Sequence, residues 1–203
     1  MISSRVGHSL DPFLLRVYQL FFRGDAARPN LLSVIGLLFG FVCLLFTVSN
    51  WLVPAGLALL LSGLFDLFDG AIARHYAKVT TYGGFFDSVL DRYTDLSVAF
   101  GIFVNFLLHG DHLFCILTFV AAIGMVLISY IRARAEAARL QCKNGILERP
   151  ERTILLIIGL CFNEVFVRLT GLGLLKAVII VLAILTHVTA IQRIMIVRKA
   201  AQL

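Results

Sequence analysis

Charge is what this sequence has least of. Only 15% of its 203 residues are Asp, Glu, Lys or Arg, while 60% are hydrophobic. The mean hydropathy of +0.93 excludes an ordinary soluble globular chain. Its four cysteines, Cys43, Cys115, Cys142 and Cys161, show no C-x-x-C spacing and no matching histidine pair. That argues against a thiolate metal site and leaves them as packing residues. The first thirty residues carry charges throughout and lack an apolar stretch followed by a small-residue cleavage site, so the start of the chain is expected to belong to the mature protein. Internal repeats, low-complexity tracts and long linkers are also missing, which makes residues 1–203 a single domain.

What is present is a series of long apolar runs. About 20 apolar residues cross a bilayer core, and that window selects six segments: Leu31–Ser49, Leu52–Arg74, Gly84–Leu108, His112–Ala135, Arg152–Leu169 and Leu174–Val197. Segments this long satisfy their backbone amides in lipid only as helices. The expected fold is therefore an all-α integral membrane domain with six transmembrane helices over residues 31–197 and both termini on one side. Before the first span, Asp11-Pro12 supplies a helix cap and first-turn proline. Arg16, Gln19 and Arg23 then lie opposite Phe13, Leu14, Val17, Leu20 and Phe21, which predicts an interfacial amphipathic helix over 10–24.

The formal net charge of +6 sits between the apolar runs, where it suits anionic lipid headgroups and phosphate substrates rather than nucleic acid. Fifteen basic residues fall on one side of the six segments, among them Arg5, Arg28, Arg74, Lys78, Lys143, Arg149 and Arg198, and only Arg168 and Lys176 on the other. The positive-inside rule makes the crowded side cytoplasmic. The expectation is a multi-pass protein of the cell (inner) membrane with its termini facing the cytoplasm.

Five of the twelve acidic residues, Asp66, Asp69, Asp87, Asp91 and Asp95, fall inside the apolar segments. An ionised carboxylate there costs about 3 kcal/mol or more and usually faces a functional polar cavity. Asp66 and Asp69 are three apart, and Asp87, Asp91 and Asp95 step by four, so each set shares a helix face. The short connection Arg74–Gly84 makes the two helices antiparallel neighbours, and their acidic faces are expected to converge. Four carboxylates pressed together require cations between them. Two divalent ions match four negative charges, and all-oxygen ligation favours magnesium or manganese over zinc. Gly70, Ala71 and Ala73 after Asp69, and Gly83-Gly84 before Asp87, leave room for a ligand beside the acids, with Arg74, Thr80 and Thr81 at its mouth.

Residues Asp66–Asp91 read D-LF-D-G-AI-A-R-HYAKVTTY-G-GFF-D-SVL-D. This resembles, at every fixed position, the D-x2-D-G-x2-A-R-x8-G-x3-D-x3-D signature of the CDP-alcohol phosphotransferase family. The resemblance implies that Asp66, Asp69, Asp87 and Asp91 ligate two Mg2+ or Mn2+ ions that bind the diphosphate of a CDP-diacylglycerol-type lipid. It further implies Asp91 as general base and Gly70, Arg74 and Thr80 along the nucleotide. Pro29-Asn30 resembles the family's entry to the first span and joins the CDP-lipid contacts. The implied reaction is attack of an acceptor hydroxyl on the phosphorus bearing the lipid alcohol, with release of CMP, in phospholipid biosynthesis. A homodimer is compatible with it.

The stretches SYIRARAE and GILERPER resemble those of the phosphatidylinositol-phosphate synthases and their archaeal relatives. They imply that Ser129, Arg132, Arg134 and Arg152 hold the phosphate of a phosphorylated polyol, with Arg193 closing the pocket. Inositol phosphate is the expected acceptor. Glycerol 3-phosphate needs similar charges and stays open on sequence grounds, whereas a neutral acceptor would leave the arginines without a partner. A cation or proton transporter also buries aspartates, but its sites usually lie near mid-bilayer on repeated, broken helices.

Overall fold

The computed structural model describes residues 29–77, 79–140, 142 and 145–202; the expected helix over 10–24 lies outside them. Seven helices follow in order: α1 (Pro29–Val48), α2 (Leu52–His75), α3 (Thr81–Leu108), α4 (His112–Ala137), α5 (Arg149–Cys161), α6 (Asn163–Thr170) and α7 (Leu174–Ala200). The described residues contain no strand. Proline supports the helix starts where it is harmless, as at Pro150 in the first turn of α5. Gly171, at φ 74°, terminates α6 in the left-handed conformation.

The helices pack in a circuit: α2 on α1, α1 on α3, α3 on α4, α4 on α7, α7 on α5, and α5 back on α2. A large core joins all of them except α6, with Cys43, Ala55, Val98, Ile102, Ala121, Leu160 and Leu182 among its buried members, and a smaller cluster surrounds Leu32 and Ile72. α1 serves both acid-bearing helices. A Cβ on Gly36 would stand 3.3 Å from the Ser62 carbonyl of α2, and one on Gly40 would stand 2.9 Å from Thr94 of α3. Such close approach is how small residues join helices when lipid offers no hydrophobic drive. α2 and α3 touch each other far less than either touches α1. They are neighbours across a gap rather than a packed pair, which keeps like charges apart and leaves space between them.

The span pattern differs from the sequence expectation in two places. α1, α2, α4 and α7 are each long and apolar enough to cross a membrane. The expected straight span over Arg152–Leu169 is instead two helices bent by 59° at Phe162. Beyond the bend, Glu164 and Arg168 occupy a short helix with no buried residue, and Asn163 Oδ1 accepts a hydrogen bond from Leu175 N–H at 3.1 Å. The bend thus takes the charged segment off the α5 axis and puts an acceptor on the start of α7. α3 has 28 residues, about 42 Å at 1.5 Å per residue. Asp87, Asp91, Arg92 and Asp95 load its first half with charge, so it has the length to cross a membrane but is not among the four helices that are also apolar enough.

This arrangement brings the N-termini of α1, α3 and α5 and the C-terminal turns of α2, α4 and α7 to one end of the bundle. Every candidate residue from the sequence lies there. At the opposite end Lys176 Nζ pairs with Asp111 Oδ2 at 2.9 Å, with the ammonium also 5.0 Å from the Phe114 ring centre.

Candidate functional site

Asp66 and Asp69 project from α2 and Asp87 from α3 so that one carboxylate oxygen of each lies within 4.8 Å of the others. Octahedral magnesium holds opposite oxygens about 4.2 Å apart, so a small closure would seat a divalent ion in this all-oxygen triad. Asp69 is only 6% exposed, and the Ser33 hydroxyl of α1 donates to its Oδ2. Asp91, one turn along from Asp87, shares with Asp66, Asp87 and Ser33 the lining of a gap of about 10 Å3. Its Oδ1, however, is held by Arg149. The four aspartates expected to act together therefore divide into a triad, of which Asp66 also pairs with Arg149, and an adjacent paired acid, Asp91, outside it.

On one side of the triad opens a cavity of about 350 Å3, lined by Pro29, Asn30, Asp69, Gly70, Arg74 and Thr80 with Asp87. All five residues expected to contact a CDP-lipid thus meet in one space. Gly70 has a visible role: a Cβ there would stand 3.2 Å from Arg74 Nη1, so the missing side chain is where the guanidinium lies. Thr80 also does local work, its Oγ1 accepting from Gly83 N–H at 2.9 Å as the cap of α3. That cap sets where the helix starts and so where Asp87 points.

On the other side lies a larger cavity, about 570 Å3, bordered by Asp91 and by Ser129, Arg132, Arg152 and Arg193. Arg152 and Arg193 are each 3% exposed, and each donates to a carbonyl of α4: Arg152 Nη1 to Met125 at 3.3 Å and Arg193 Nη1 to Ile128 at 2.8 Å. Arg132 is exposed and tied to Glu136 at 2.9 Å. Arg134 does not border the cavity and faces solvent; two residues on from Arg132, it lies on nearly the opposite face of α4.

Arg92 and Arg149 complete this wall, giving five arginines against Asp91, Glu136 and Glu148. The buried Nε atoms of Arg92, Arg149, Arg152 and Arg193 have no hydrogen-bond partner. A cavity with surplus, under-compensated positive charge suits an anion.

Sequence reasoning placed Arg149 only among the loop charges. In the structure its guanidinium reaches Asp66 Oδ2 at 2.9 Å, Asp91 Oδ1 at 2.8 Å and Asp95 Oδ1 at 3.7 Å. Asp95, also without an assigned role, stands 3.7 Å from Arg152 as well. The available signal was the helix start: an arginine just before Pro150 and three before Arg152 shares a face with it.

Comparison with known proteins bears on what this arrangement can do. Residues 26–201 match the family described as CDP-alcohol phosphatidyltransferase. An archaetidylinositol phosphate synthase of Pyrococcus horikoshii is 36% identical over 179 residues, covering 86% of each chain. A phosphatidylinositol phosphate synthase of Mycobacteroides abscessus is 34% identical over 149 residues, covering 71% of this chain and 65% of that one. Among solved structures, the phosphatidylinositol phosphate synthase of Mycobacterium tuberculosis with CDP-DAG bound superposes with a TM-score of 0.76 at 27% identity, over 95% of this chain and 94% of that one. The same enzyme in complex with manganese and citrate gives 0.77 at 27% identity, over 95% and 88%.

Proposed function

Because the chain belongs to the CDP-alcohol phosphatidyltransferase family, we propose that it transfers the phosphatidyl-type group of a CDP-diacylglycerol-type lipid to a hydroxyl of inositol phosphate, releasing CMP. One observation carries this reading. The acid row separates a cavity lined by the signature residues from one lined by five arginines, and Asp91, on the wall of the second, shares a small gap with Asp87, on the wall of the first. A donor diphosphate on the first side and an anionic acceptor on the second would meet at that carboxylate.

Each residue then has a task. Asp66, Asp69, Asp87 and Asp91 hold the divalent ions, magnesium or manganese and two per site. When bound, those ions neutralise the diphosphate oxygens and ease the departure of CMP. Pro29, Asn30, Gly70, Arg74 and Thr80 shape the nucleotide space. Ser129, Arg132, Arg152 and Arg193 grip the acceptor phosphate and aim its hydroxyl at the phosphorus. Asp91 takes the hydroxyl proton as the new P–O bond forms, and the bond to CMP breaks with its electron pair on the leaving oxygen. The relatives named archaetidylinositol phosphate synthase and phosphatidylinositol phosphate synthase favour that acceptor over glycerol 3-phosphate.

The decisive experiment supplies purified enzyme with CDP-diacylglycerol, Mg2+ and, in turn, inositol phosphate, glycerol 3-phosphate and serine. CMP release with a phosphatidylinositol-phosphate product is expected only with the first. A product formed from glycerol 3-phosphate or serine would reject the acceptor, and cation flux without CMP release would reject the reaction.

The membrane-embedded bundle is placed with α3 and the bent α5–α6 pair as third and fifth of six spans, and with the active end in the cytoplasm. The charge asymmetry of the sequence supports this orientation. Tyr82 and Leu172, exposed at opposite ends, offer its test. Cysteine at Tyr82 should react with a membrane-impermeant maleimide from the cytoplasmic side, and cysteine at Leu172 from outside; the reverse pattern inverts the topology.

A further inference from the structure

The proposed function, on which this inference rests, uses Asp66 and Asp91 as ion ligands, yet the structure gives both carboxylates a partner already. A single guanidinium spans them, with Nη1 2.9 Å from Asp66 Oδ2 and Nη2 2.8 Å from Asp91 Oδ1. Arg149 therefore ties the acid of α2 to the acid of α3 across the gap between the two helices. Its Nε lies 3.7 Å from Asp95 Oδ1, and Arg149 is the first residue of α5, with Pro150 next in the first turn, so the side chain is directed at the acids by its own helix.

An ion bridging Asp66 and Asp91 would need oxygens about 2.1 Å away, in the space that the guanidinium now fills. Arginine fork and ion are mutually exclusive there. The triad of Asp66, Asp69 and Asp87 is different, because Arg149 forms an ion pair with just one of its three carboxylates, Asp66. We propose that Arg149 is a built-in competitor for the second divalent ion: it makes the site shared by Asp66 and Asp91 weaker than the triad, and it must let go before both sites fill. Its release has a destination, since Arg149 also borders the 570 Å3 cavity where an acceptor anion would draw it.

The other charges around the pair do not replace it. Arg92 Nη2 lies 3.7 Å from Asp91 Oδ2, on the other oxygen, and Arg152 faces Asp95. Neither touches Asp66. Removing Arg149 thus removes the only described cation that bridges the two acids.

Mn2+ binding to the full chain in lipid nanodiscs, read by the loss of free-ion electron paramagnetic resonance signal, tests this directly. Wild type should show one tight and one weaker class of Mn2+. In Arg149→Gln the weaker class should tighten about tenfold, the scale of one lost charge-assisted contact, with the tight class nearly unchanged. Arg149→Lys should fall between them, because an ammonium reaches one carboxylate rather than two. A weaker class that is unaltered or further weakened in both variants overturns the proposal and leaves Arg149 as a structural tie. If the Gln variant loses its helical circular dichroism, the Lys variant alone decides. Should wild type bind no Mn2+ at all, or bind it as Asp87→Asn does, the four-aspartate reading fails instead.

Discussion

The two halves of the acid row use like residues in opposite ways. Asp66, Asp69 and Asp87 converge while Arg149 pairs with just one of the three, Asp66. Asp91 and Asp95, one and two turns further along α3, are surrounded by Arg92, Arg149 and Arg152. Three carboxylates that draw on one shared guanidinium keep surplus negative charge, which cations from outside complete. The arginine-rich half carries surplus positive charge and is completed by an anion. In the proposed function, donor and acceptor chemistry are thus separated along about 12 Å of one helix, the rise of eight residues.

The largest test of this contrast removes charge from the half with surplus negative charge. Asp87→Asn should cut turnover by roughly a thousandfold or more, since it deletes a ligand from the group that stabilises transferred charge. It should weaken Mn2+ binding while leaving the helical circular dichroism intact. Full activity of wild type in excess chelator would undo the contrast at its root.

Smaller, graded effects should come from the arginine half. Arg152→Gln should raise the acceptor KM about tenfold to a hundredfold, by the loss of charge-assisted contacts of about 1.5–3 kcal/mol, with the KM for CDP-lipid nearly unchanged. Arg132→Gln should do less, because that side chain is exposed and already shared with Glu136. Arg134→Gln should do least, because it borders no part of the cavity. Kinetics on correctly inserted enzyme would read this order, and equal effects of all three would show that these charges orient the protein rather than bind a substrate.

How much could be read in advance follows from sequence distance. The signature spans two helices and one short connection, so helical periodicity alone placed Asp66 beside Asp69 and Asp87 beside Asp91. The CDP-lipid contacts lie on or next to the same elements and gather in one cavity. The separation of Arg132 from Arg134 was also available, since a step of two on a helix turns nearly half-way round. Arg149 was not, because its partners lie more than fifty residues away and its own segment reads as a basic loop. The bend at Phe162 was equally hidden, as the run Arg152–Leu169 is apolar enough to pass for one straight span.

The sequence by itself determined the lipid solvent, the helical class, the end of the bundle where charge collects, and the residues able to hold a divalent ion. Each of those follows from local composition and periodicity, which act through a few consecutive turns of one helix. Only the tertiary structure decided that α1 would hold α2 and α3 apart, that four aspartates would divide into a triad and a paired acid, and that Arg149 would cross the gap between them. These depend on helix circuits and side-chain reach between segments distant in sequence. Electrostatic energy there varies with separations of an ångström or two, which no spacing along the chain encodes.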